Sequence, residues 1–318
     1  MASHDGRYAP SPSGPLHLGN LRTALLAWLF ARSRGARFML RIEDLDPLRS
    51  RPEHEARAIG DLRLLGLDWD GEPLRQSSRR ERHREAFEQL RGEGRVYPCW
   101  CSRAEARMAA AAPHTEGAAS AYPGTCRTLS RRERAERERT GPPKAWRLDA
   151  RDAQVSFDDE LRGARSAVVD DIVLWRGDGV AAYNLAVVID DADQGVGQVV
   201  RGEDLLDTTA RQVLLGALLG LPRVRYAHVP LVLDVDGTRL AKRHGAVTLA
   251  ERMELGESPE ALTGWMALSA GLRQDATPIA AAALVDDFDP ALLLREPAVL
   301  ARAGAGRPED IRPPSRSR

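Results

Sequence analysis

The sequence predicts an α/β fold in which helices cross over a parallel sheet. A short strand, a turn-rich loop and an apolar-periodic helix open the chain, a second strand with period-two alternation follows, and strand-to-helix alternation resumes late in the sequence. In the first unit "GRYAP" reads as strand, and Leu18, Leu21, Leu25, Trp28 and Leu29 recur at helical spacing. In the second, "ARFMLRIEDLD" puts Phe38, Leu40 and Ile42 on one face and Met39, Arg41 and Glu43 on the other. "SSRRERHREAFEQLRGEG" predicts a helix opened by a Ser78/Glu81 capping box and closed by Gly92 and Gly94.

From Val96 to about Val168 the chain changes character. This stretch holds the cysteines, the low-complexity "MAAAAPHTEGAASA", an Arg/Glu run and a weakly patterned strand around "KAWRLDA", so it reads as an insertion between two halves of a sheet. In "SRRERAERERT", Ser130 and Glu133 form a capping box, and Arg132/Glu136, Glu133/Arg137 and Arg134/Glu138 are spaced for i,i+4 pairing. That favours a solvated, salt-bridged helix over an RNA-binding stripe. Beyond the insertion, "AAYNLAVVIDDAD" reads as an apolar strand and "QVVRGEDLLDTTARQVLLGALLGL" returns to helix. Asp236 and Gly237 mark a turn within "RYAHVPLVLDVDGTRLAKRHG". Ser258, Pro259 and Glu260 start one more helix ending near Gly271, and the closing "AGAGRPEDIRPPSRSR" has the composition of a disordered tail.

Composition bounds the function. At 318 residues and 43% hydrophobic content the chain can bury a full core. No apolar run approaches the roughly 18 residues of a membrane span, and "MASHDGRYAP" lacks the regions of a signal peptide, so a cytoplasmic address is expected. Acidic and basic residues balance at 46 each; no global field attracts nucleic acid, and RNA contact must come from a local patch. Three cysteines, two of them in "CWC", fit a reducing compartment and a metal site better than a disulfide framework. Arginine is the default cation, so Lys144 and Lys242, like Asn20 and Asn184, stand out as chemically chosen.

A Pro/Ser/Gly loop feeding a helix that begins with His17 and Gly19 suits an anion, because helix-start amides and the macrodipole favour negative charge and His17 can donate to a phosphate oxygen. By itself the same stretch also reads as a rigid turn with a surface histidine. Four further motifs accompany it. "PSPSGPLHLGN" resembles the first signature of class I aminoacyl-tRNA synthetases. "RYAPSPSGPLHLG", "RIEDLD", "YNLAVVIDDAD" and "VVRGEDLL", in that order, resemble the glutamate-specific branch, and "RLAKR" resembles the second class I signature.

The resemblance runs from about Arg7 to Gly271. It implies a Rossmann-type catalytic domain with a zinc-bearing insertion and a short C-terminal helical segment, the nucleotide lying outside the carboxyl ends of the strands. A glutamate pocket must satisfy two carboxylates and an ammonium. Carried over residue by residue, the resemblance implies Arg7, Arg201 and Tyr183 for the carboxylates, Glu43 for the ammonium, and Ala9 and Ser11 as lining. It implies ATP at His17, Gly19, Asn20 and Lys242, with Mg2+ on the phosphates and His17 and Lys242 stabilising the transferring phosphate. The second signature departs from the family pattern at Arg239, Ala241 and Arg243, losing one hydroxyl while keeping Lys242.

Cys99, Cys101 and Cys126 leave a zinc ion one ligand short; His114 is the usual choice on chemical grounds, and three buried small hydrophobes is the plainer reading. Only 76 residues follow Lys242, too few for a helical anticodon-binding domain. The expectation is a truncated paralogue resembling the glutamyl-Q tRNA(Asp) synthetases, whose Cys/Cys/Tyr/Cys site implies Tyr122 as fourth ligand. That branch activates glutamate without tRNA and transfers it to queuosine at the wobble position of tRNA(Asp), so the expected RNA partner is the anticodon stem-loop and the expected state a monomer. The expected organisation is a catalytic domain at 1–252, interrupted at about 96–168, then a helical segment at 253–300 and a tail at 301–318. Two rivals stand beside it: a short glutamyl-tRNA synthetase that charges tRNA(Glu), and an inactive zinc-stabilised RNA-binding paralogue.

Overall fold

Gly6–Tyr8 (β1) and Phe38–Ile42 (β2) pair in parallel with Arg7 opposite Met39, and the helix Leu18–Arg32 crosses between them. The computed structural model describes residues 3–102, 104–106, 122–234, 236–238, 240 and 247–300; the expected tail at 301–318 and the low-complexity run lie outside them. The Leu18–Arg32 helix is buried on nearly every face, which its near-continuous apolar sequence requires. Even Arg22 is buried, its guanidinium donating to the carbonyls of Pro230 (2.8 Å) and Ser269 (3.0 Å). Leu74–Arg75 (β3) joins the far side of β2 after the helix Pro52–Leu64.

The helix Arg80–Gly92 follows, but not with the expected cap. Residues Gln76–Arg79 form a 3-10 turn, Arg79 stands at the N-cap without a side-chain bond, and the Ser78 hydroxyl donates back to Arg75. Tertiary bonds override the local signal: Ser77 donates to Asp44 and Gln76 to Asp190, pinning the entry before Ser78 can cap.

Five strands come next: Val96–Cys99 (β4), Ala145–Leu148 (β5), Gln154–Asp159 (β6), Gly163–Val168 (β7) and Val173–Arg176 (β8). β4, β5 and β8 make a small antiparallel sheet, against which Phe87 packs through Trp146 and Trp175 at 6.0 and 5.0 Å. Between β4 and β5 lies the helix Arg131–Thr140, with the Ser130/Glu133 capping box formed and no residue buried. The expected i,i+4 ion pairs on it are not formed among the described residues: the cap takes the Glu133 carboxylate, and Arg132, Glu136 and Glu138 are exposed, where such pairs add little. The β6–β7 hairpin instead joins the main body, β6 pairing with β10 (Arg225–Val229), which pairs in turn with β9 (Gln198–Gly202).

"YNLAVVIDDAD" is helix, Tyr183–Asp193, and not the expected strand. Its β-branched run is strand-like, yet Leu185, Ala186, Val187 and Ile189 are all buried, so the segment shows little amphipathic period to betray a helix. After β9 a 3-10 turn, Glu203–Thr208, leads into the helix Thr209–Leu218. β11 (Val232–Asp234) pairs in parallel with β12 (Ala298–Leu300). The helix Pro259–Ala270 opens on a Ser258 cap and stops at Gly271, whose φ of 85° is the left-handed conformation of a C-terminal cap. No helix of the described residues is long and apolar enough to cross a membrane.

One arrangement places the site. The amides of Gly197 and Gln198 both donate to the Asp5 carbonyl, so β9 lies beside β1 and the strands run β3, β2, β1, β9, β10, β6, β7. The chain leaves β1 toward β2 and leaves β9 toward β10, in opposite directions. A crevice opens where the connections part, at the carboxyl ends of β1 and β9.

Candidate functional site

That crevice is a cleft of about 700 Å³. Nine residues named from the sequence line it: Arg7 in β1, Ala9 and Ser11 after it, His17, Gly19 and Asn20 at the helix start, Glu43 after β2, Tyr183 at a second helix start, and Arg201 in β9. Lys242 and the altered positions Arg239, Ala241 and Arg243 lie outside the described residues.

At the head of the Leu18–Arg32 helix, His17 is the N-cap. Its Nδ1 accepts from the Asn20 amide at 3.2 Å, while the Asn20 side chain accepts from the His17 amide at 3.2 Å. This reciprocal cap decides the tautomer: with Nδ1 accepting, the neutral ring carries its proton on Nε2 and offers a donor. Burial holds the His17 pKa below its ordinary value, against a small opposing pull from Asp204, so the ring is neutral at physiological pH. Gly19 is needed here because a Cβ would come within 3.1 Å of the His17 ring and 3.3 Å of Val232.

Under the cleft runs a buried charge chain. Arg7 Nε donates to Asp191 Oδ1 at 3.2 Å and Arg7 Nη1 to the Val200 carbonyl at 3.3 Å. Arg41, wholly buried, donates to the same Asp191 oxygen at 2.7 Å, to Gln194 at 2.9 Å and to Glu43 at 3.4 Å. Burial alone would raise the Asp191 pKa, but the Arg41 and Arg7 charges outweigh it and hold the carboxyl below the usual range. Glu43 goes the other way: burial pushes it up despite Arg41 and Arg7, so an incoming cation would favour its charged form. Arg7 keeps Nη2 and one Nη1 proton for a ligand, enough for a bidentate carboxylate.

Arg201 has less to spare. Its Nε donates to His228 Nε2 at 3.0 Å, Nη1 to Gln212 at 2.7 Å, and Nη2 to Thr209 at 2.8 Å and the Leu205 carbonyl at 3.4 Å. One Nη1 proton remains, so the potential for a bidentate bond is not available in this arrangement. Sequence reasoning missed Asp191, Arg41 and His228 as members of the site. The first two sit inside quoted motifs and were legible there, whereas "RYAHVP" carries no signal for His228.

A second constellation lies in the small-sheet region. The sulfurs of Cys99, Cys101 and Cys126 lie within 4.8 Å of one another, Cys101 and Cys126 at 3.5 Å. Tyr122 Oη is 3.5 Å from both Cys99 and Cys101 and accepts from the Cys126 amide at 3.0 Å. Tetrahedral zinc at about 2.3 Å from sulfur separates its ligand atoms by about 3.8 Å, so this four-atom set fits the ion. Arg147 covers it, its guanidinium 3.7 Å above the Tyr122 ring and its Nε 3.3 Å from Cys99 Sγ. His114 lies outside the described residues.

Comparison with known proteins agrees with this geometry. The sequence pattern of tRNA synthetases class I (E and Q), catalytic domain, matches residues 5–279. The chain is 56% identical to a glutamyl-Q tRNA(Asp) synthetase of Nocardia farcinica, covering 96% of both chains. It is 50% identical to one of Symbiobacterium thermophilum, covering 92% of this chain and 94% of that one. A glutamate tRNA ligase from Elizabethkingia meningosepticum, crystallised in complex with its amino acid, superposes with a TM-score of 0.79 at 28% identity, over 94% of this chain and 67% of that one. With the strand order, the cleft and the sequence pattern in agreement, the chain belongs to the class I tRNA synthetases of the E and Q type, through their catalytic domain.

Proposed function

We propose that this chain activates L-glutamate with ATP in the absence of tRNA and transfers the glutamyl group to the queuosine base at the wobble position of tRNA(Asp). The observation that carries this reading is its likeness, over nearly their whole length, to relatives named for that activity. The cleft supplies the chemistry such an enzyme needs. Arg7 and Arg201 meet the carboxylates of glutamate, Glu43 meets its ammonium, Tyr183 adds a hydroxyl, and Ala9 and Ser11 line the pocket.

No protein nucleophile is required. A glutamate α-carboxylate oxygen attacks the α-phosphorus of ATP, the bond to pyrophosphate breaks, and glutamyl-adenylate forms. The protein's work is to place the reactants and to meet developing charge. His17 donates through Nε2 to a phosphate oxygen, as a neutral group whose direction is locked by Asn20. Gly19 and Asn20 shape the helix start that receives ATP, and Lys242 completes the catalytic pair. Mg2+ bound with ATP shields the pyrophosphate oxygens. A queuosine hydroxyl then attacks the adenylate carbonyl carbon, an ester forms and AMP leaves. We assign one zinc per chain to Cys99, Cys101, Tyr122 and Cys126, where it would fasten a region with little apolar core; the anticodon stem-loop would dock as the RNA partner of a monomer.

Glutamate-dependent ATP–pyrophosphate exchange without RNA tests the first step. Transfer of labelled glutamate to tRNA(Asp) with and without queuosine tests the second. Label on the 3′-terminal adenosine, or equal label on queuosine-free tRNA, overturns the reading in favour of a short glutamyl-tRNA synthetase.

A further inference from the structure

The two arginines of the cleft are held in different ways. Arg7 shares its charge with Asp191, an ion pair inside the protein. Arg201, only 5% exposed, is held by four neutral acceptors: the His228 imidazole, the Gln212 amide oxygen, the Thr209 hydroxyl and the Leu205 carbonyl. Among the described residues no carboxylate makes an ion pair with it, although burying an unpaired guanidinium is costly.

A fixed negative charge reaches Arg201 through His228. Asp159 Oδ2 lies 2.5 Å from His228 Nδ1, and neither side chain is exposed. Asp159 Oδ1 also accepts from the amides of Leu161, Arg162 and His228, at 3.0, 2.8 and 3.2 Å, and these bonds keep the carboxylate charged. The proton positions follow from the donors. Arg201 Nε can only donate, so His228 Nε2 must accept, and the ring proton sits on Nδ1, directed at Asp159. An imidazolium would set Nε2–H against Nε–H and one cation against another. The charged and titratable groups facing His228 are Asp159 at the end of β6, Arg162 in the turn after it, Arg201 in β9 and the Tyr226 ring stacked on β10. Burial, with Arg201 and Arg162, outweighs Asp159 and holds the ring neutral.

We propose that His228, anchored by Asp159, is a positioning residue that aims Arg201 into the cleft while leaving its charge uncompensated, so that the carboxylate completing the pair is the ligand's. One imidazole separates Asp159 from the guanidinium, which orients Arg201 without cancelling it. A carboxylate in direct contact would do the opposite and blunt the cleft's preference for an acidic side chain. The inference rests on the proposed reading of the cleft as an amino-acid site.

The test compares His228→Asn with His228→Gln in the full chain. The asparagine amide falls near the Nδ1 position and can serve Asp159 alone, whereas the glutamine oxygen falls near Nε2 and can still accept from Arg201. In ATP–pyrophosphate exchange, His228→Asn should raise the KM for glutamate about tenfold or more, as loss of a bond to a charged group predicts, with the KM for ATP little changed; the melting temperature should fall further in His228→Asn than in His228→Gln, because only the former leaves the buried Arg201 Nε without its acceptor. His228→Gln should recover most of the loss. A wild-type glutamate KM in His228→Asn, an equal rise in both KM values, or equal loss in the two variants overturns the proposal. Long-range 15N spectra of the wild-type histidines give an answer that does not depend on activity. His228 should show the Nδ1–H tautomer, and Nε2–H would overturn the inference; absence of any glutamate-dependent exchange by the wild type would instead sink the functional reading and leave the tautomer to decide this one.

Discussion

Changing Asp191 to asparagine preserves shape and removes the negative charge that Arg7 and Arg41 both contact directly. The carboxylate is 3.2 Å from Arg7 Nε and 2.7 Å from Arg41 Nη1, and both arginines are buried. Removing one partner from a buried ion pair costs about 3–5 kcal/mol, because the remaining charge is left in a poorly solvating interior. Glu43 remains 3.4 Å from Arg41 and offsets part of that, so a loss near the low end, about 3 kcal/mol, is expected. A domain with a total stability of about 5–15 kcal/mol still folds after such a loss, so urea denaturation at pH 7 can measure it. The pH dependence has a definite sign. The folded-state pKa of Asp191 is held below its ordinary value, so its contribution is present above about pH 4, the unfolded value, and is lost as pH falls through the folded one. The gap between wild type and Asp191→Asn should therefore be constant from pH 7 to about 5 and narrow only in acid. A loss below about 1 kcal/mol, or a gap that persists unchanged to pH 3, would refute the idea that this carboxylate carries the charge balance under the cleft.

Asp61 should behave in the opposite way: it is buried, its Oδ2 has no hydrogen-bond partner, and burial pushes its pKa up to about 6 despite the pull of Arg57. The stability it contributes is full below its unfolded pKa of about 4 and is lost as pH rises through 6, so Asp61→Asn should gain about 1–2 kcal/mol at pH 7.5 and nothing at pH 4 in thermal melts. Equal melting temperatures at pH 7.5 would count against an unpaired buried carboxylate. At the cysteine cluster, Cys126→Ser should lower zinc content measured by metal analysis and His114→Ala should leave it unchanged; the reverse pattern would move the fourth ligand from Tyr122 to His114.

What the sequence by itself determined is what lies within a few residues of itself. The strand, loop and helix from Gly6 to Arg32, the Ser130/Glu133 and Ser258 caps and the Gly271 stop were legible because each is made by neighbours in the chain. The cleft residues were legible for the same reason, standing in short contiguous motifs whose resemblance to a family could be recognised. Tertiary structure decided the rest. "YNLAVVIDDAD" became a helix because its two consecutive aspartates meet partners far away in sequence: Asp190 holds Gln76, Arg79 and His83, and Asp191 holds Arg7 and Arg41. Ser78 lost its cap to bonds that Asp44 and Asp190 make with the residues before it. The Arg201–His228–Asp159 line exists only because β9, β10 and β6 lie side by side, with Arg201 opposite His228 in the strand register. Such contacts depend on which strands become neighbours, and burial then selects the partners, since a charge removed from water must find its counterpart wherever the fold has brought one.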